Sequence, residues 1–188
     1  IRVCLDVRRL NAHIADLHYP LPVIHDILDR IHGFEVATAL DLKNGYHQLR
    51  VKEEDVQKLT CTWNGTRFAF QRAPFGLKHL PKHFQRLMEA ILEDCEDYVT
   101  IYLDDVIVFT KPKAGETRSE MLERHGKQVA RVIDAMTKYN LKLKISKCQF
   151  GCRKLRVLGH VVTGKTREVD REKLESVEAM GAPRSGPQ

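Results

Sequence analysis

Hydrophobic residues recur along this chain at two spacings, and each change of spacing marks a new element. In YPLPVIHDILDRIHGF, Val23, Ile27, Leu28 and Ile31 fall at helical intervals behind a proline, with Gly33 as a stop. That spacing predicts a short helix over about Pro22 to Ile31. FEVATALDL and YHQLRV read as strands or near-strands around Asp41. VQKLTCTWNGTRFAFQRA has the pattern of a hairpin, two alternating runs joined by Asn64–Gly65, a pair that accepts the positive φ of a type I′ turn. From Leu80 to about Glu93, Phe84, Leu87, Met88, Ile91 and Leu92 return to helical spacing. Residues 98 to 109 predict two short strands, and a long polar helix follows from about Thr117 to Tyr139, after a loop holding Pro112 and Gly115. LKLKISKCQF and KLRVLGHVV read as further strands, with Gly151 and Gly159 as breaks, and GAPRSGPQ reads as a disordered tail. Strands and helices interleave without a regular βαβ rhythm, so the expected class is α+β.

Composition narrows the picture. A chain of 188 residues can bury a core as one domain or a domain with appendages, and 43% hydrophobic with 30% charged residues excludes a disordered protein. No apolar run approaches the roughly 20 residues that span a bilayer, so no membrane partner is expected. The formal charge of +6 favours a polyanionic partner. Cys4, Cys61, Cys95, Cys148 and Cys152 are odd in number and scattered, which suits a reduced, intracellular protein. Cys148 and Cys152, with His160 downstream, lack a fourth ligand at zinc spacing and read as packing residues. An opening Ile1 suggests a piece of something longer.

The candidate chemistry lies in YVTIYLDDVIVF, where Asp104 and Asp105 interrupt two apolar runs. Adjacent carboxylates repel, and one is pushed toward its neutral form unless a cation is shared between them. Turn chemistry alone would explain an Asp-Asp pair. Apolar strands on both sides, however, deliver the acids to a fixed spot, and oxygen ligands there suit a hard ion such as Mg²⁺. Asp41, which ends the run in ATALDLKNGYHQL, is the candidate third acid; its plainer reading is a turn or helix-capping aspartate.

YLDD between apolar strands, LDLKNGYHQLRVKEED, PFGL followed by FQRLM, and LKLKISKCQFG followed by LGHVV occur here in one order. In that order the chain resembles reverse transcriptases, most closely those of gypsy-type LTR retrotransposons, over roughly residues 2 to 175. The resemblance implies a right-hand polymerase palm with partial fingers, a ferredoxin-like palm sheet backed by helices. It divides the chain into the end of the fingers (1–15), palm (16–48), a fingers hairpin (49–79), palm again (80–165), and the start of the thumb with a disordered tail (166–188). The implied reaction is template-directed DNA synthesis from RNA or DNA with two Mg²⁺ ions, or Mn²⁺ in their place. Asp41, Asp104 and Asp105 would hold the metals together with the backbone carbonyl of Leu42. Lys147 would protonate the leaving pyrophosphate.

The same resemblance assigns nucleotide contacts to Arg2, Tyr46, Phe75 and Gly76, with Tyr46 as a steric gate against a 2′-hydroxyl. Primer contacts go to Tyr102, Leu158, Gly159 and His160. The implied partners are a template–primer, deoxynucleoside triphosphates, and the RNase H and integrase domains of a parent polyprotein, within a cytoplasmic particle or the nucleus. In PFGLKHLPKHFQRLM, Leu80, Lys82 and His83 are bulkier than the family's small residues and would crowd the template path, and Pro112 to Thr117 is an added loop. An inactive, nucleic-acid-binding relic is the alternative function. A nucleotide cyclase would use a similar sheet, but the tyrosine gate and primer-grip-like hairpin argue against it.

Overall fold

The computed structural model describes residues 5–169. Its centre is a four-stranded antiparallel sheet of β1 (Val36–Asp41), β4 (Val99–Tyr102), β5 (Asp105–Thr110) and β6 (Gln149–Cys152), in the order β4-β5-β1-β6. Helix α4 (Leu80–Ile91) connects β1 to β4 and α5 (Arg118–Lys138) connects β5 to β6, so the chain runs β-α-β-β-α-β, the ferredoxin-like arrangement. The expected α+β palm sheet is therefore present.

Alternation along the strands gives each face its own core. Leu40, Val106 and Val108 pack under α4 and α5, against Phe84, Met88, Val132 and Met136. Ala37, Ile107 and Phe109 face the other way, onto Ile27, Leu28 and Ile31 of α2 (Ile24–Ile31) and onto Leu155 and Val162. Those last two belong to a second small sheet, β7 (Lys154–Val157), β8 (His160–Thr163) and β9 (Arg167–Val169). Burial on both sides explains why VIVF carries no polar alternation.

The Asn64–Gly65 hairpin forms as expected. Strands β2 (Thr60–Trp63) and β3 (Thr66–Ala69) pair with Trp63 opposite Thr66, and both turn residues take positive φ, 47° and 75°. Ahead of it lie α1 (Arg8–Ala12) and α3 (Glu53–Val56). The added loop is anchored rather than loose. Arg124 of α5 grips Glu116 through Nε and Nη2, at 2.7 and 2.6 Å, and a capping box between Thr117 and Glu120 starts the helix.

Two expected strands are corrected. YHQLRV forms a 3-10 turn over Gly45–Gln48 because Asn44, at φ 59°, closes the chain, and the Gln48 side chain bonds the carbonyls of Lys43 and Lys142. LKLKISKCQF is a strand only from Gln149; Leu143 makes a single bridge to Leu42, and Ile145–Lys147 is another 3-10 turn. Gly151, expected as a break, lies inside β6 where the register with β1 slips between Ala37 and Ala39. Its N–H is taken by Thr38 Oγ1 at 3.1 Å. Residues 167–169 form a third strand beside β8, and the expected tail lies outside the described residues.

A buried polar network ties α5 to the sheet. His125 is 5% exposed, with Nε2 2.8 Å from Thr38 Oγ1 and Nδ1 2.8 Å from Thr110 Oγ1. Thr110 donates its hydroxyl proton to Gln128 Oε1, so it accepts from Nδ1–H. Thr38 accepts from Gly151 N–H and donates to Nε2. With the imidazole neutral, each hydroxyl is used once as donor and once as acceptor. Burial, followed by the charge of Arg124, holds the His125 pKa below 6.5.

The unfolded chain therefore takes up a proton at pH values where the folded chain does not, and stability falls as pH drops below about 6.5. Between pH 7.5 and 5, urea midpoints of the unsubstituted chain are expected to fall relative to those of His125→Gln, the difference between the two profiles isolating this group from the carboxylates that titrate in the same window. Thr110→Val, which leaves Nδ1–H and Gln128 unpaired, should cost about 1–3 kcal/mol at neutral pH.

Candidate active site

Asp41 ends β1 and Asp105 begins β5, and the two are register partners in the last rung of that pairing. Tyr102 faces Asp105 across the β4–β5 hairpin. Partners in an antiparallel ladder point to one side of the sheet, with Cβ atoms about 4.5–5.5 Å apart. Tyr102, Asp105 and Asp41 thus form a row, two residues beyond Ile107 and Ala39 on the face that packs onto α2 and β7–β8. Asp104 is exposed in the two-residue turn, against Gly45, where an added Cβ would stand 3.5 Å from Asp104 Cβ.

The carboxylates sense one another. Burial first, then the charges of Asp104 and Asp41, push Asp105 up to about 6, with Lys147 pulling the other way. Lys147 Nζ is 3.7 Å from Asp41 Oδ2. Its 3-10 turn is clipped to the end of β1: Lys144 N–H donates to Asp41 O at 2.9 Å, and Asp41 N–H donates to Cys148 Sγ at 3.4 Å. Cys148 packs on the α4/α5 side and Cys152 on the other, in keeping with their reading as packing residues.

Sequence reasoning missed Gln85. This α4 side chain is fully buried; its Oε1 accepts from Leu103 N–H at 2.7 Å, and its Nε2 donates to Ile101 O at 3.0 Å and Glu89 Oε1 at 2.7 Å. It thereby holds the aspartate turn, in which Leu103 takes a positive φ of 56° that disfavours any side chain. The available signal was a lone amide set among Phe84, Leu87 and Met88.

A cleft of about 760 Å³ opens beside the row, bordered by Asp41, Asp104, Leu42, Phe75, Lys144 and Lys147. Tyr46 is half-buried with its ring edge-on to Phe75 and Phe84, at 5.5 and 5.3 Å, and burial followed by the Asp104 charge raises its pKa. Gly76 has φ 99°, and a Cβ there would meet Val7 Cγ2 at 3.1 Å, so only glycine fits. Asn11, also missed, braces this loop by donating to Gly76 O and accepting from Lys78 N–H, both at 2.8 Å. Leu158 and Gly159 form the β7–β8 turn ahead of His160, and Leu158 packs on the same core as Tyr102. Lys82 is accommodated by donating to Leu17 O, Leu80 is buried, and His83 is exposed. Arg2 lies outside the described residues.

All candidate ligands in the row are hard oxygen donors, and burial followed by the charges of Asp104 and Asp41 disfavours the bare Asp105 carboxylate, so the chemistry of the donor set suits a divalent cation. Among the described residues, no group of three or more His, Cys, Asp or Glu side chains is placed to hold a metal ion as it stands.

A protein-family model described as reverse transcriptase (RNA-dependent DNA polymerase) matches residues 1–162. The chain is 32% identical to the retrovirus-related Pol polyprotein from transposon opus of Drosophila melanogaster, over 98% of this chain and 18% of that protein. It is 31% identical to the corresponding polyprotein from transposon gypsy, over 97% of this chain and 17% of that protein. The Tf2-3 polyprotein of Schizosaccharomyces pombe is 29% identical over 94% and 13%. The chain thus spans less than a fifth of these relatives. Among solved structures, the foamy viral protease–reverse transcriptase in complex with double-stranded DNA superposes with a TM-score of 0.84 at 19% identity, over 97% of this chain and 31% of that one. Its complex with an RNA/DNA hybrid gives 0.79 at 20% identity, over 95% and 23%. No described helix is long and apolar enough to cross a membrane.

Two outcomes test the site. Gln85→Ala strands Leu103 N–H and Ile101 O and is expected to cost about 1–3 kcal/mol in urea denaturation. Asp105 has a folded pKa above its unfolded 3.8, so it destabilises above about pH 6 and is relieved as pH falls toward 4. Asp105→Asn should therefore gain about 1–2 kcal/mol at pH 7.5, allowing for solvent screening, and nothing near pH 4.

Proposed function

Because this chain belongs to the reverse transcriptase (RNA-dependent DNA polymerase) family, we propose that it is the catalytic core of a retrotransposon polymerase that adds deoxynucleotides to a primer along an RNA or DNA template. The observation that carries this reading is the Asp41–Asp105 rung with Asp104 at the adjoining turn. In the proposed division, 16–48 and 80–165 build the palm, 1–15 and 49–79 belong to the fingers, and 166–188 begin the thumb.

Asp41, Asp104, Asp105 and the Leu42 carbonyl would hold two Mg²⁺ or Mn²⁺ ions. Bound there, such ions offset the carboxylate repulsion and polarise the primer hydroxyl and the triphosphate. The primer 3′-hydroxyl gives its proton to solvent water as its oxygen bonds the α-phosphorus, the bond to the bridging oxygen breaks, and pyrophosphate leaves. Lys147, beside Asp41 on the cleft wall, donates a proton to that leaving group. Tyr46, backed by Phe75 and Phe84, fills the space a 2′-hydroxyl would need. Arg2 grips the triphosphate, while the Phe75–Gly76 loop, steadied by Asn11, lines the nucleotide pocket. Tyr102 and the Leu158–Gly159–His160 turn contact the primer. The proposed partners are a template–primer, deoxynucleoside triphosphates, and RNase H and integrase domains of one polyprotein.

Primer extension with Mg²⁺ by a protein carrying complete fingers and thumb is the test. Asp104→Asn is expected to lower the rate at least about a thousandfold with template–primer affinity retained. The isolated chain should extend poorly, since its phosphate grip is incomplete. A completed protein that adds no nucleotide would leave only the binding relic.

A further inference from the structure

Next to the catalytic cleft lies a second one, of about 540 Å³, that shares Asn44 and His47 with it. Its wall contains two like-charged pairs. Arg50 and Arg72 are partners in an isolated antiparallel bridge. Lys43 and Lys142 are opposed in the neighbouring bridge of Leu42 to Leu143, where Lys43 N–H donates to Lys142 O at 2.8 Å. Like charges directly opposite across strands destabilise the pairing. No carboxylate lines this cleft, and among the described residues none of the four cations has an ion-pair partner. Gln48 nevertheless fastens the arrangement, bonding Lys43 O, Lys142 O and Lys142 N–H while Arg72 donates to its carbonyl at 2.8 Å. The fold thus assembles four uncompensated cations around one space.

We propose that this cleft binds a compact polyphosphate, of which inorganic pyrophosphate is the simplest form. Guanidinium and ammonium groups suit phosphate oxygens, and an anion with several charges on few atoms can answer both pairs at once. A nucleic-acid strand carries one charge per phosphate and spreads them along its length. The role of the cleft as a holding site for pyrophosphate leaving the neighbouring catalytic cleft rests on the polymerase reading; its binding of the anion does not.

The test is isothermal titration of inorganic pyrophosphate into the chain without divalent ions, at about 0.1 M salt. Arg50→Gln combined with Lys142→Gln, two side chains outside the Gln48 clamp, is expected to weaken binding at least tenfold. Lys147→Gln, on the catalytic cleft, should change it less than about twofold. No binding by the unsubstituted chain, or an equal loss in Lys147→Gln, overturns the proposal. So does displacement of pyrophosphate by a single-stranded oligonucleotide at equal phosphate concentration. A rise in thermal stability of the double variant with pyrophosphate binding intact also overturns it, because the pairs are then only a solvated repulsive face. Neither primer nor nucleotide is present, so a chain inactive in primer extension can still pass.

Discussion

The structure turns on the register of β1 against β5. Because side chains alternate with a period of two, a slip of one residue would turn Asp41 away from Asp105 and drive Leu40 and Val106 off the core beneath α4 and α5. The apolar residues on both faces set that register, and the register in turn forces two carboxylates into one rung. Hydrophobic burial overrides an electrostatic cost that β1 and β5 could not sustain alone.

The surroundings of the rung serve to hold that unfavourable arrangement still. Gln85 fixes the turn from one side, the Lys144–Cys148 segment clips the end of β1 from the other, and Lys147 offsets part of the charge. Leu103 keeps a backbone angle that a turn chosen for stability would give to glycine. Strain and repulsion gather at the aspartate turn while relaxed packing surrounds it, a distribution typical of a working site.

Where one physical signal dominated, the sequence was readable. Apolar spacing located α2, α4 and α5, and Asn64–Gly65 located a hairpin, because each depends on local chemistry alone. The pairing of Asp41 with Asp105 spans 64 residues; the apolar run ending at Asp41 made it a candidate third acid, but did not show its register partner. YHQLRV misled because its alternation is real, yet Gln48 satisfies the backbone from its side chain instead of through a ladder. Gln85 and Asn11 were missed for a related reason: the main-chain groups of other segments that they bond leave no mark on residue type, and only the lone amide among apolar neighbours hinted at Gln85.

Strand order has a consequence for how the chain acquires its shape. β1 is the first of the four central strands to be made, yet it ends in the interior, between β5 and β6. During synthesis it waits with both edges unpaired until residues 105–110 and then 149–152 arrive. Such distant closures slow folding and leave an apolar ribbon open to other chains in the interval. A chain interrupted before residue 149 would pair β1 with β5 and leave its other edge open.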